Sequence, residues 1–129
     1  MSLFIQKIVF LFVLTLLSVH TVLGGVTVNL VNSLEGNLDL TVRCQSADDD
    51  LGSHLLHHGN NYSFHFVPKL PLFGQTLFFC SFAWNGGFHH FDVWVQGIDD
   101  CNYCNYNIFK SGPCLSQEPK APDCFTWKD

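Results

Sequence analysis

The chain has 129 residues, of which 47% are hydrophobic and 15% aromatic, with six cysteines and a formal charge of −5 at pH 7. That length makes one domain. Six basic residues against eleven acids form no cationic track for phosphates, which excludes nucleic acid and other polyanions as partners and suits solubility or a basic partner.

Residues 1–24 read as a secretory signal peptide. Lys7 supplies a weakly positive start, and an apolar run extends from Ile8 to Leu17. Val22-Leu23-Gly24 then offers small residues at a cleavage site. The run is shorter than the roughly 20 apolar residues that span a bilayer. Cleavage is expected after Gly24. It leaves a soluble domain over 25–129, with no membrane insertion. Loss of Lys7 sets five basic residues against eleven acids, a formal charge of −6. Export also places Cys44, Cys80, Cys101, Cys104, Cys114 and Cys124 in an oxidising compartment, where cystines form and persist.

In chain order, Val26 to Val31 alternate as a strand does, and Glu35-Gly36-Asn37 break the pattern. Leu38, Leu40 and Val42 face one way against Asp39, Thr41 and Arg43, a half-buried strand. Asp48-Asp49-Asp50-Leu51-Gly52 reads as a loop, and Leu55-Leu56 as a weaker apolar patch. Tyr62, Phe64 and Phe66 alternate again before Pro68, Pro71 and Gly74 punctuate the next connection. Gln75 to Trp84 is apolar on both faces, as a central strand is. Asn85-Gly86-Gly87 signals a hairpin into a strand with Phe91, Val93 and Val95 opposing His90, Asp92 and Trp94. After a turn at Gly97–Asp100, Tyr106 and Ile108 carry a last clear strand, which ends at Ser111-Gly112-Pro113. The tail holds Cys124, Phe125 and Trp127 and is expected to be tied down. About seven short strands with no long amphipathic helix predict an all-β fold. Its expected form is a small antiparallel β-sandwich braced by disulfides.

The six cysteines allow fifteen pairings, and sequence does not choose among them. Cys101-x-x-Cys104 resembles a redox or zinc half-site, but no second C-x-x-C follows, so structural cystines are expected. An EF-hand starting at Asp48 fails, because Ser53 and Gly59 stand where glycine and glutamate are needed. The pairs His57-His58 and His89-His90 each put one ring on either strand face, which is not a metal-ligand spacing. No G-x-S-x-G, H-E-x-x-H or phosphate-loop motif occurs. Catalytic, metal and cofactor sites are therefore all expected to be absent. Asn61-Tyr62-Ser63 is the one N-glycosylation acceptor motif.

Several segments together resemble the plant self-incompatibility S1 family, or S-protein homologues. They are Val42-Arg43-Cys44-Gln45-Ser46-x-Asp48-Asp49-Asp50-Leu51-Gly52, Tyr62-x-Phe64-x-Phe66 and Thr76-Leu77-Phe78-Phe79-Cys80-x-Phe82-x-Trp84. Phe91-Asp92-Val93, Gly112-Pro113-Cys114 and Cys124-Phe125-x-Trp127 follow in the same order. The resemblance implies a small secreted β-sandwich. It also implies a ligand-like role, since the founding members are stigma-secreted determinants that trigger rejection of self pollen. The family's usual four cysteines best match Cys44, Cys80, Cys104 and one of Cys114 and Cys124. Many relatives are basic, whereas this chain is acidic.

The expected function is that of a secreted, apoplastic, monomeric ligand for a cell-surface receptor protein, with no enzymatic activity. The alternative is a secreted hydrolase, or a carbohydrate- or metal-binding defence protein. The expected contact loops are 46–53, 68–75 and 85–90, centred on Asp48, Asp49, Asp50, Phe73, Asn85 and Phe88.

Overall fold

The computed structural model describes residues 3–22 and 24–129. Leu23, part of the expected cleavage exit, lies outside the described residues. The N-terminal segment forms helix α1 (Leu3–Val22), whose side chains from Leu3 to Val13 are exposed. Among the described residues no helix is long and apolar enough to cross a membrane.

Among the described residues nine strands follow: β1 (Val26–Asn32), β2 (Leu40–Gln45), β3 (Asp50–Leu56), β4 (Asn61–Phe66), β5 (Leu77–Trp84), β6 (Gly87–Val95), β7 (Tyr103–Phe109), β8 (Gly112–Gln117) and β9 (Lys120–Cys124). They build a five-stranded sheet ordered β4-β1-β7-β8-β9 and a four-stranded sheet ordered β3-β2-β5-β6. The expected all-β sandwich is present, with two more strands than the sequence count. The added pair is β8 and β9, which prolines had disguised as tail. Pro113 sits at the start of β8 opposite Ile108, where a missing N–H costs least.

One pairing departs from the expected antiparallel pattern. β1 and β7 are parallel, with Val28 opposite Cys104 and Leu30 opposite Tyr106. Parallel neighbours need a long crossover. Here the chain completes the other sheet and β4 before it returns as β7.

The inward faces meet in one core. Val26, Val28 and Leu30 come from β1, Leu40 and Val42 from β2, Phe78 and Phe82 from β5, and Tyr106 and Ile108 from β7. Alternation placed Trp94 outward, yet it is buried beside Val93. The cause is a bulge: Phe78 pairs with Trp94 and Phe79 with Asp92, so Val93 faces no residue of β5. The extra residue turns the strand and sends Trp94 inward.

All six cysteines are paired, as Cys44–Cys80, Cys101–Cys104 and Cys114–Cys124. The first joins register partners on β2 and β5, and the last joins partners on β8 and β9. The tail is tied down as expected. Phe125 N–H donates to Pro113 O at 2.9 Å, and Trp127 Nε1 donates to Lys110 O at 2.8 Å. Gly112 permits this crossing, because a Cβ there would lie 1.9 Å from Phe125 O.

The registers sort the connections into two ends. Leu77 lies opposite Val95, Gln45 opposite Phe79, and Thr27 opposite Tyr103. Segments 46–49, 67–76 and 96–102 therefore gather at one end. Segments 33–39, 57–60, 85–86 and 110–111 gather at the other. The eight residues of β5 separate the ends by about 23 Å at strand rise.

Candidate functional site

The connection from β4 to β5 is the most conspicuous surface feature. It carries a short 3₁₀ turn, Pro71–Phe73. Proline fixes φ at the start of the turn, and Phe73 N–H donates to Leu70 O at 2.8 Å. The turn holds its apolar side chains out in water, with Leu72 88% and Phe73 69% exposed. Ile98, from the neighbouring β6–β7 connection, is 78% exposed. Exposed apolar side chains gathered at one end of the sandwich mark a candidate interaction surface.

The backbone here is fixed by Gln96. Its Nε2 donates to Lys69 O at 2.7 Å, and its Oε1 accepts Thr76 N–H at 2.8 Å. Its own backbone donates to Thr76 O at 2.9 Å and accepts Gln75 Nε2 at 2.7 Å. Thr76, itself buried, closes the loop by accepting Lys69 N–H on Oγ1 at 2.9 Å. The loop is thus clamped at both feet while its crown stays apolar and open. Depressions of about 360 Å³ and about 470 Å³ flank it, both bordered by Pro71 and Gln96.

Acidic groups border the apolar crown. Asp48 and Asp49 are exposed in the turn between β2 and β3, where Ser46 Oγ accepts both of their backbone N–H groups. Lys69 Nζ reaches Asp48 Oδ2 at 2.6 Å, which ties the acidic turn to the clamped loop. Asp100 is exposed within the β6–β7 connection. Asp50 is ion-paired with Arg43, whose hydrogen bonds hold the Asp50 carboxyl below its ordinary range.

Of the expected contact residues, Asp48, Asp49 and Phe73 meet at this end. Asp50 is the first residue of β3, so only 46–49 of the expected loop 46–53 is loop. Asn85 lies in the β5–β6 turn at the opposite end, and residues 87–90 of the expected loop 85–90 belong to β6. Phe88 is exposed on that strand and packs edge-on against His90, with centroids 5.1 Å apart. The six residues thus fall on two surfaces at opposite ends. Sequence reasoning missed Gln96 and Ile98. Neither stands in a motif, and the clamp exists only once β5 and β6 are side by side.

The hydrolase alternative needs converging carboxylates. Asp92 and Asp99 line one cavity of about 170 Å³ with Tyr106 and Phe125. Both are already engaged. Lys128 Nζ sits 3.1 Å from Asp92, and Asp99 Oδ2 accepts Val95 N–H at 2.7 Å. Burial raises the Asp99 pKa. Among the described residues no group of three or more His, Cys, Asp or Glu is placed to hold a metal ion. His57 Nδ1 lies 2.9 Å from Asp39. His89 and His90 reach a different carboxylate, that of Asp129.

Known proteins share this architecture and sequence. The chain is 41% identical to S-protein homolog 5 of Arabidopsis thaliana over 106 residues, 79% of this chain and 78% of the relative. It is 37% identical to S-protein homolog 2 of the same species over 110 residues, 78% of this chain and 67% of the relative. A solved structure of a self-incompatibility protein homologue, from a family described as small, highly stable, secreted proteins of plants, superposes with a TM-score of 0.59. That match covers 81% of this chain and 96% of the other at 13% identity, and so bears on the fold alone. The family model for plant self-incompatibility protein S1 matches residues 27–127, from the second residue of β1 to the tail indole against Lys110. With the match running through the whole sandwich, the chain belongs to the plant self-incompatibility protein S1 family.

Proposed function

We propose that the chain is a secreted, non-enzymatic signalling ligand. Its clamped loop end docks on a cell-surface receptor protein in the apoplast, in self-incompatibility or another form of cell–cell recognition. One observation carries this reading: Leu72 and Phe73 are held out in solvent by a loop whose feet are locked through Gln96 and Thr76. Leaving apolar crowns in water has a cost, and a fixed backbone makes that exposure productive for binding, because little ordering remains to be done on association. The apolar leader and the three cystines support export. The acidic border of Asp48, Asp49 and Asp100 favours a receptor surface that is apolar at its centre and basic around it.

The test is surface binding of the labelled, leader-free domain to intact plant cells. Saturable binding that Leu72→Ser/Phe73→Ser abolishes, with thermal stability unchanged, supports the reading. Exchanging residues 68–75 for those of a relative should transfer that relative's binding pattern. Binding that survives the double substitution, or that follows the scaffold in the exchange, overturns it.

A further inference from the structure

We propose that Asn61 carries an N-linked oligosaccharide, and that this glycan guards the open edge of the five-stranded sheet. The proposal rests on the secretory route inferred above, because the acceptor motif is read only there. Asn61-Tyr62-Ser63 meets the N-x-S requirement with no proline between. Asn61 opens β4, directly after the turn closed by Asn60 N–H on His57 O at 2.9 Å, and its side chain is exposed.

The amide is already arranged for substitution. Asn61 Nδ2 donates to Asn29 Oδ1 at 2.7 Å. A primary amide has two N–H groups, and glycosylation replaces one of them, so the inward bond can persist in the glycosylated protein. Ser63 Oγ donates to the same Asn29 oxygen at 2.6 Å, and Asn29 Nδ2 passes the chain on to Asn105 Oδ1 at 2.8 Å. The sugar would therefore stand over a polar, internally bonded strip and displace no apolar contact.

The edge explains what the sugar is for. β4 and β9 are the two edges of the five-stranded sheet. Exposed edges invite pairing with another chain, and proteins blunt them with lysine, proline or charge. β9, Lys120–Cys124, carries Lys120, Pro122 and Asp123 and is stapled to β8 by Cys114–Cys124. β4, Asn61–Phe66, reads Asn-Tyr-Ser-Phe-His-Phe and has none of these devices. A bulky hydrated group at its first residue supplies the missing protection. The six residues of β4 also place that group about 17 Å of strand away from Phe66, so it leaves the clamped loop free to bind.

The experiment expresses the full chain, leader included, in plant cells and weighs the product from medium and cytosol before and after peptide:N-glycosidase A. The expected product in the medium is heavier than the bare polypeptide by one oligosaccharide and falls to the bare mass on digestion. Asn61→Gln and Ser63→Ala should emerge bare, and Ser63→Thr should keep the sugar. At matched concentration the bare Asn61→Gln protein should form higher-order species by light scattering while the glycosylated chain stays monomeric. A bare wild-type chain in the medium overturns the glycan and leaves export intact. A bare chain retained in the cytosol overturns export and the glycan together. A glycosylated chain whose Asn61→Gln variant is equally monodisperse overturns the edge-guarding role.

Discussion

The Tyr106 hydroxyl donates to the carbonyl oxygen of Val93 at 2.8 Å, across the two sheets of the sandwich. Tyr106 belongs to β7 of one sheet, and Val93 is the bulged residue of β6 in the other. A bulge leaves backbone groups outside the ladder, and a buried carbonyl without a donor is costly. The phenol resolves that cost, and its ring packs edge-on against Phe91 with centroids 5.9 Å apart. The hydrogen bond therefore fixes the bulge that turns Trp94 inward.

Tyr106→Phe should keep the ring and orphan the Val93 carbonyl. The expected loss is about 1–3 kcal/mol, read as a lower denaturant midpoint with an unchanged slope. A pH scan adds a second reading. Burial raises the Tyr106 pKa above its ordinary 10.0, with Asp99 adding to the shift. A group raised on folding contributes stability that is fully present below its unfolded value and is lost as pH climbs toward the folded one. Wild-type stability should thus fall above about pH 10, and the phenylalanine variant should fall less steeply. Parallel alkaline profiles for the two proteins would remove Tyr106 from the account.

The three cystines should rank by the length of chain they close. Cys44–Cys80 spans 36 residues, Cys114–Cys124 spans 10 and Cys101–Cys104 spans 3. Chain-entropy arithmetic then gives about 4, about 3 and about 2 kcal/mol respectively. Paired Cys→Ser variants unfolded in denaturant should lose stability in that order. If removal of Cys101–Cys104 costs the most, that bond acts through native packing around Trp94 Nε1 and Cys101 O, which lie 3.4 Å apart.

Gln96→Ala tests whether the clamp matters to binding. The substitution leaves the exposed crown of Leu72 and Phe73 chemically intact. It removes the side-chain bonds to Lys69 O and Thr76 N–H. Receptor affinity should fall about tenfold if reordering the loop costs about 1.4 kcal/mol, and amide exchange at Thr76 should accelerate. Faster exchange with unaltered affinity would show that the crown binds without a fixed backbone.

Local pattern made much of this fold legible. β5 is apolar on both faces and does lie between β2 and β6, because a strand covered on both sides must be apolar on both. Alternation at Val26, Val28 and Leu30 located the buried face of β1. The parallel β1–β7 pairing left no local trace, since register between segments 76 residues apart is set by packing and not by neighbours in sequence. β8 and β9 were hidden because Pro113 and Pro122 are breakers in an isolated strand and are tolerated at a start or an edge. At the candidate site, Phe73 and Asp48 were legible as polar-loop and exposed-aromatic signals. Gln96 was not, because a glutamine beside a turn has the same local signature whether it clamps a loop or faces water.

The tail offers the sharpest test of electrostatics. Asp129 accepts the His90 backbone N–H at 3.0 Å and the His90 ring at 2.9 Å, and its other oxygen is 3.4 Å from His89 Nδ1. His89 in turn stacks on Trp127 with centroids 4.9 Å apart and planes 7° from parallel. Lys128 and Asp92 pair alongside. The His90 bonds hold the Asp129 carboxyl at about 2, below its ordinary 3.8. A group lowered on folding contributes attachment that is present above its unfolded value and is lost as pH falls through the folded one. The tail should therefore stay docked down to about pH 4 and release as pH approaches 2. The indole N–H resonance of Trp127, bonded to Lys110 O, reports this directly. It should hold its shift from pH 7 to 4 and collapse toward the free-indole position below. Asp129→Asn should weaken docking at neutral pH and flatten the acid transition. An indole resonance that passes unchanged from pH 5 to 2 in the wild type would mean that packing against His89, and not the carboxylate, holds the tail.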